Sequence, residues 1–186
     1  AFATALIGEA ALLMDDLERA ETELREAVEL HHEIDASAGE AHSLQRLAEV
    51  HLARGDRTTA RQLLERALPL ARWSVISNHL LQRIYGSMIA AAEDPVSARA
   101  VVDRAEATLG EPDHCPFCAV MLAVPAATAC ARVGDIDDAH RFLAAASRSV
   151  SLWGESSWQA AVVEAQATVA LAEGDALLVA LNYLSR

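Results

Sequence analysis

The residues with the most distinctive chemistry are His114-Cys115-Pro116-Phe117-Cys118. Two thiols separated by two residues can chelate one soft ion or close on each other. Tetrahedral zinc takes four ligands, or three and a solvent molecule. His114 can supply a third donor, and His79, at the start of the preceding first helix, a fourth. His79, His114, Cys115 and Cys118 are therefore the candidate metal set, with zinc the candidate ion. Thiol redox sensing is a second reading. Pro116 suits a first helical turn, and exposed amides at a helix start would stabilise a thiolate at Cys115. In a third reading Phe117 and Cys118 dock the helix and the cysteines are inert.

Elsewhere the chain offers no catalytic constellation. Asp15-Asp16 and Asp137-Asp138 fall at turns or helix starts, where carboxylates cap amides and complement the helix dipole. No G-x-S-x-G, H-E-x-x-H or dinucleotide fingerprint occurs, so a non-catalytic protein is expected. All 15 basic residues are Arg, against 27 acidic ones, giving a net charge of -12. Such a chain is repelled by phosphate backbones, which argues against direct nucleic-acid binding. The longest uncharged stretch, 114–131, carries Pro116, Pro125 and Thr128 and reads as a buried helix rather than a membrane span. Three cysteines without a secretory pattern point to a reducing cytoplasm. The opening Ala and immediate helical pattern suggest a piece of a longer protein.

The elements that position these residues emerge from composition and repetition. Alanine accounts for 40 of 186 residues and aromatics for 4%. That favours closely packed helices over sheet. Turn signals recur at Asp16, Asp56, Asp94, Asp135 and Asp175, at intervals of 40, 38, 41 and 40. Eight residues before each stand Gly8, Ala48, Gly86, Ala127 and Ala167. After the anchors come Ala20, Ala60, Ala98 and Ala139, then Leu24, Leu64, Val102 and Leu143, then Ala27, Ala67, Ala105 and Ala146. Antiparallel helices approach closely only where facing side chains are small, and a larger residue fills the remaining gap. A pair cannot cover its own apolar face, so pairs stack. First helices are predicted at about 1–14, 38–54, 77–92, 116–133 and 156–173, and second helices at about 17–34, 57–72, 96–109, 136–150 and 176–185.

The small–Ala–large–Ala pattern resembles the tetratricopeptide repeat (TPR). The resemblance implies an all-α fold: a right-handed α-solenoid of about five TPR-like helix-turn-helix pairs, forming one domain over 1–186. Two features depart from that family. The period is near 40 residues rather than 34, and His32, Arg72, Gly110 and Ser151 stand where a helix-ending Pro is usual. The longer period resembles the helical sensor regions of large ATP-binding bacterial transcription regulators of the LuxR type. Cys-Pro-Phe-Cys is similar to a glutaredoxin active site, but that family places it after a strand in a mixed fold, and helical repeats flank it here.

By analogy with the repeat family, first helices line a concave groove. Its polar frames hold Glu9, Gln45, Glu49, Arg83, Ser87, Thr128, Glu164 and Thr168, with Arg83 set to pair with a carboxylate. The expected partner is a protein or peptide, a basic one by charge complementarity, or another domain of the same regulator; a homodimer through exposed repeat ends is also consistent. The rival reading is a metal- or thiol-responsive sensor. Repeat frames assign His51 and Cys130 to packing, His42 to a half-buried position and His140 to solvent, while His31 and His32 end the first second helix, where a solvated, partly charged imidazole complements the helix dipole. His31, His32, Asp35 and His42 are a weaker metal set. Trp73, Trp153 and Trp158 are expected as plugs between repeats.

Overall fold

A computed structural model describes residues 1–110 and 115–174. Among them are nine helices: α1 (Phe2–Leu13), α2 (Leu17–Glu33), α3 (Ser37–Ala53), α4 (Arg57–Arg72), α5 (Ser77–Ala90), α6 (Pro95–Leu109), α7 (Ala119–Arg132), α8 (Ile136–Val150) and α9 (Ser157–Ala172). The described residues form an all-α helical-repeat fold. The expected second helix at 176–185 lies outside the described residues. The chain divides into two compact units, Ala1–Ala92 and Glu93–Arg186. The boundary falls at the third turn signal.

In the first unit α1, α3 and α5 form one layer, and α2 and α4 the other. The first layer packs internally, α1 on α3 and α3 on α5, and α2 and α4 pack across onto it: α2 on α1 and α3, and α4 on α3 and α5. The repeat frames explain the closeness. Ala20, Ala27, Ala48, Ala60 and Ala67 are fully buried, as are Leu24 and Leu64. A Cβ added at Gly8 would lie 2.7 Å from Leu24 Cγ and 3.1 Å from its backbone nitrogen. The turn between α3 and α4 shows how a pair is closed. Gly55 takes a left-handed φ of 80°, and the Asp56 amide donates back to the His51 carbonyl at 2.8 Å. This is the Schellman arrangement that glycine makes inexpensive. Asp56 then caps α4 by accepting from the Thr59 amide at 3.0 Å. The α1–α2 turn has the same form with Asp15 in the left-handed position, φ 61°.

In the second unit α7 packs on α6, α8 and α9, and α8 packs on α9. Ala98, Val102, Ala105, Ala127, Ala139 and Ala146 are buried. Two frame residues depart: Ala167 and Leu143 are half-buried, and Phe142 is buried beside Leu143. α6 begins without a glycine. Asp94 accepts from the Val96 and Ser97 amides, both at 2.9 Å, and Pro95 occupies the first turn, where its missing N–H costs nothing.

α7 starts at Ala119, and 116–118 form a turn ahead of it. Two expectations are corrected. Trp73 plugs nothing: it caps the end of α4 with 90% of its surface exposed. His31 is buried rather than solvated, because Gly39 leaves room for its ring. A Cβ at Gly39 would stand 2.3 Å from the imidazole.

Candidate functional site

α1, α3 and α5 carry a polar cluster on the layer they share. Its centre is Arg46. One guanidinium nitrogen donates to Glu9 Oε1 on α1, and the other to Glu49 Oε2 one turn along α3 at 2.6 Å. Arg83 on α5 approaches the same Glu9 oxygen at 3.5 Å. Gln45 donates to Glu49 Oε1 at 2.6 Å and to Ser87 Oγ on α5 at 2.8 Å, and Ser87 donates onward to Glu49 Oε1 at 3.2 Å. Three helices are thus linked by six side chains with two cations and two carboxylates, a locally neutral arrangement. The three side chains meeting at Glu9 Oε1 keep about a fifth of their surface exposed or less. Partial exclusion of water strengthens each charge-assisted bond relative to the surface. Gln45 Oε1 and Arg46 Nε are buried without a hydrogen-bond partner.

His42, one turn before Arg46, borders the cluster. Burial pushes its imidazole down to about 4, the Arg83 charge acts in the same direction, and Glu49 opposes them. It is therefore neutral near pH 7. His31 is also lowered, chiefly by burial. Its Nδ1 lies 3.2 Å from Ser43 Oγ, joining α2 to α3.

The structure brings Gln45, Glu49, Arg83 and Ser87 together with Glu9 in the first unit. Thr128 on α7 and Glu164 and Thr168 on α9 belong to the second. There Thr168 Oγ1 donates to the Glu164 carbonyl at 3.0 Å, bonding within its own helix. Arg46 escapes a frame-by-frame reading because its frame holds Leu6, Ile84, Pro125 and Ala165. Its spacing of three from Glu49 was the available signal, since such pairs meet on a helix face.

The cysteine segment is built differently. Cys118 and Ala119 donate their amides to the Cys115 carbonyl, each at 3.0 Å, rather than to its thiol. Ser149, buried at the end of α8, receives the Val120 amide at 3.0 Å and donates to the Pro116 carbonyl at 2.5 Å. The Trp153 indole donates to the Phe117 carbonyl at 2.8 Å, and its ring meets Phe117 edge-on at 6.2 Å between centroids. Cys115 and Cys118 are half-buried in the second unit, and exposed His79 is in the first. His114 lies outside the described residues. Cys115 and Cys118 would supply two of the four ligands of a zinc shell.

His31, His32, Asp35 and His42 gather no three donors within 4.8 Å. Cys130, Asp135 and Asp138 do so, but a cation already serves the two carboxylates. Arg99 reaches Asp135 at 3.2 Å and Asp138 at 2.7 Å. Burial pushes the Cys130 thiol up to about 11, so it is a packing residue. His51, mostly buried, pairs with Asp56 at 3.4 Å, and His140 is exposed beside Glu173.

Residues 1–72, spanning α1 to α4, match the Tetratricopeptide repeat family. No curated protein and no solved structure matches the chain. The TPR-like repeats suggest a protein-interaction domain; such domains are typically non-catalytic and need no cofactor. Among the described residues no helix is long and apolar enough to cross a membrane.

Proposed function

We propose that this chain is a non-catalytic interaction and signal-sensing module, and that its first unit receives a protein or peptide on the layer formed by α1, α3 and α5. The observation that carries this is the cluster of Glu9, Gln45, Arg46, Glu49, Arg83 and Ser87. A purely structural inner face would be served by the small apolar residues used elsewhere. Here three helices instead present pre-oriented donors and acceptors, which is how a groove fixes the register of a bound backbone. Arg46 and Arg83 can meet a carbonyl or carboxylate, and Glu9 and Glu49 an amide or cation. Net charge of -12 favours a basic partner. In the second unit Thr128, Glu164 and Thr168 would form a polar frame of that unit's own.

The repeat period and Ala/Arg/Leu-rich composition support a wider setting: the sensor region of a cytoplasmic bacterial transcription regulator, in which partner or effector binding favours one state over another. In that setting the partner is a separate protein or another domain of the same polypeptide. Site-specific photocrosslinking tests the groove. A photoreactive residue at position 42, bordering the cluster, should crosslink the partner, whereas one at exposed Arg25 on α2 should not. Equal labelling from both positions would refute the assignment.

A further inference from the structure

The turn at 115–118 offers chemistry that the interaction function does not use. The Cys118 amide donates to the Cys115 carbonyl at 3.0 Å, closing a four-residue turn. Turns of this kind hold their first and fourth Cα atoms within about 7 Å, and disulfides span Cα separations of about 4.4–6.8 Å. The two Sγ atoms lie within 4.8 Å of each other. Both residues are half-buried, so a small reagent can reach them without unfolding. The turn is also held from outside, through Ser149 on the Pro116 carbonyl and Trp153 on the Phe117 carbonyl. Backbone already fixed in this way loses little further freedom on ring closure.

We propose that Cys115 and Cys118 form a thiol–disulfide exchange site whose substrate is a low-molecular-weight disulfide. One cysteine thiolate attacks a sulfur of the small disulfide, forming a mixed disulfide and releasing one small thiolate. The second cysteine thiolate then attacks the protein sulfur of that mixed disulfide, forming the Cys115–Cys118 bond and releasing the second small thiolate. The protein gives up two electrons and two protons, and the small disulfide becomes two thiols. Phe117 lies between the two cysteines in sequence, and its carbonyl holds the Trp153 indole. Trp153 therefore reports closure. Cys130 supplies an internal control, being wholly buried with its thiol held in the protonated form by burial. This inference does not depend on the groove.

The test is incubation of the folded chain with oxidised glutathione, alkylation of the remaining thiols, and mass mapping. The expected product is an intrachain Cys115–Cys118 link reversed by dithiothreitol, with Cys130 alkylated only after unfolding. Tryptophan emission should change on oxidation, and Trp153→Phe should remove that change. Cys118→Ser should stop at a glutathione adduct on Cys115. The proposal is overturned if the wild type also stops at the adduct, if it links only between chains, or if Cys115 and Cys118 both remain alkylatable.

Discussion

The two units use the same repeat frame and fill it differently. In the first, the layer of α1, α3 and α5 carries the Glu9–Arg46–Glu49 network with Arg83, Gln45 and Ser87. In the second, α7 has no acidic residue and Arg132 as its one basic residue, and its inner-frame residue Thr128 stands among Ala, Val and Pro. Its specific polar bonds lie at the start of the helix, where Ser149 and Trp153 hold the cysteine turn. The small residues that let helices nest are common to both units, whereas the polar residues are particular to each. The scaffold is thus set by frames that repeat, and chemistry by positions that break the frame.

The largest effect should come from crowding a shared small position. Gly8→Val drives a branched side chain against Leu24 and should lower stability by about 3 kcal/mol, read as an earlier urea midpoint. Ala167→Val, the same frame in the second unit but half-buried, should cost under about 1 kcal/mol. Equal losses would mean that the frames are not packed differently.

A pH series separates the units next. Folding holds His42 and His31 below their ordinary value, so the unfolded chain binds more protons than the folded one. For His42 the window runs from about 6.5 down to about 4, its ordinary and folded values. Stability is fullest above that window, falls as pH drops through it, and gains no further loss from this group below it. Over the full window the His42 contribution is about 3 kcal/mol. Chemical denaturation from pH 7.5 to 4.5 should show the decline, and His42→Gln should flatten it.

Arg46→Ala should cost about 2 kcal/mol, between the values for exposed and fully buried pairs, because it leaves Glu9 and Glu49 facing each other without it. Arg46→Lys should recover only part, since one ammonium cannot repeat the forked contact. Smallest is Asp15→Gly, a gain of about 0.5–1 kcal/mol from relieving a left-handed φ that Gly55 adopts freely in the next pair. Thermal melts should resolve it.

Much of the scaffold was legible in the sequence because packing small against large leaves a periodic signature. Ala20, Ala60, Ala98 and Ala139 could be named without coordinates. Arg46, Ser149 and Trp153 could not be assigned their roles, since each acts through a partner on another helix or turn. Repeat averaging also hides single departures, and Arg46 sits in a frame otherwise filled by Leu, Ile, Pro and Ala. His31 shows the same limit: its burial depends on the absence of a side chain at Gly39, on the following helix.

The central claim is that the α1–α3–α5 layer is the binding face. Its most direct test takes peptides selected from a random library on this chain and titrates them against the wild type, Arg83→Ala, Glu49→Gln and the outer-face variant Arg25→Ala. The account predicts affinity losses of about tenfold or more for the two inner-face variants and no change for Arg25→Ala. Undiminished binding by Arg83→Ala and Glu49→Gln, with both variants folded, would contradict it.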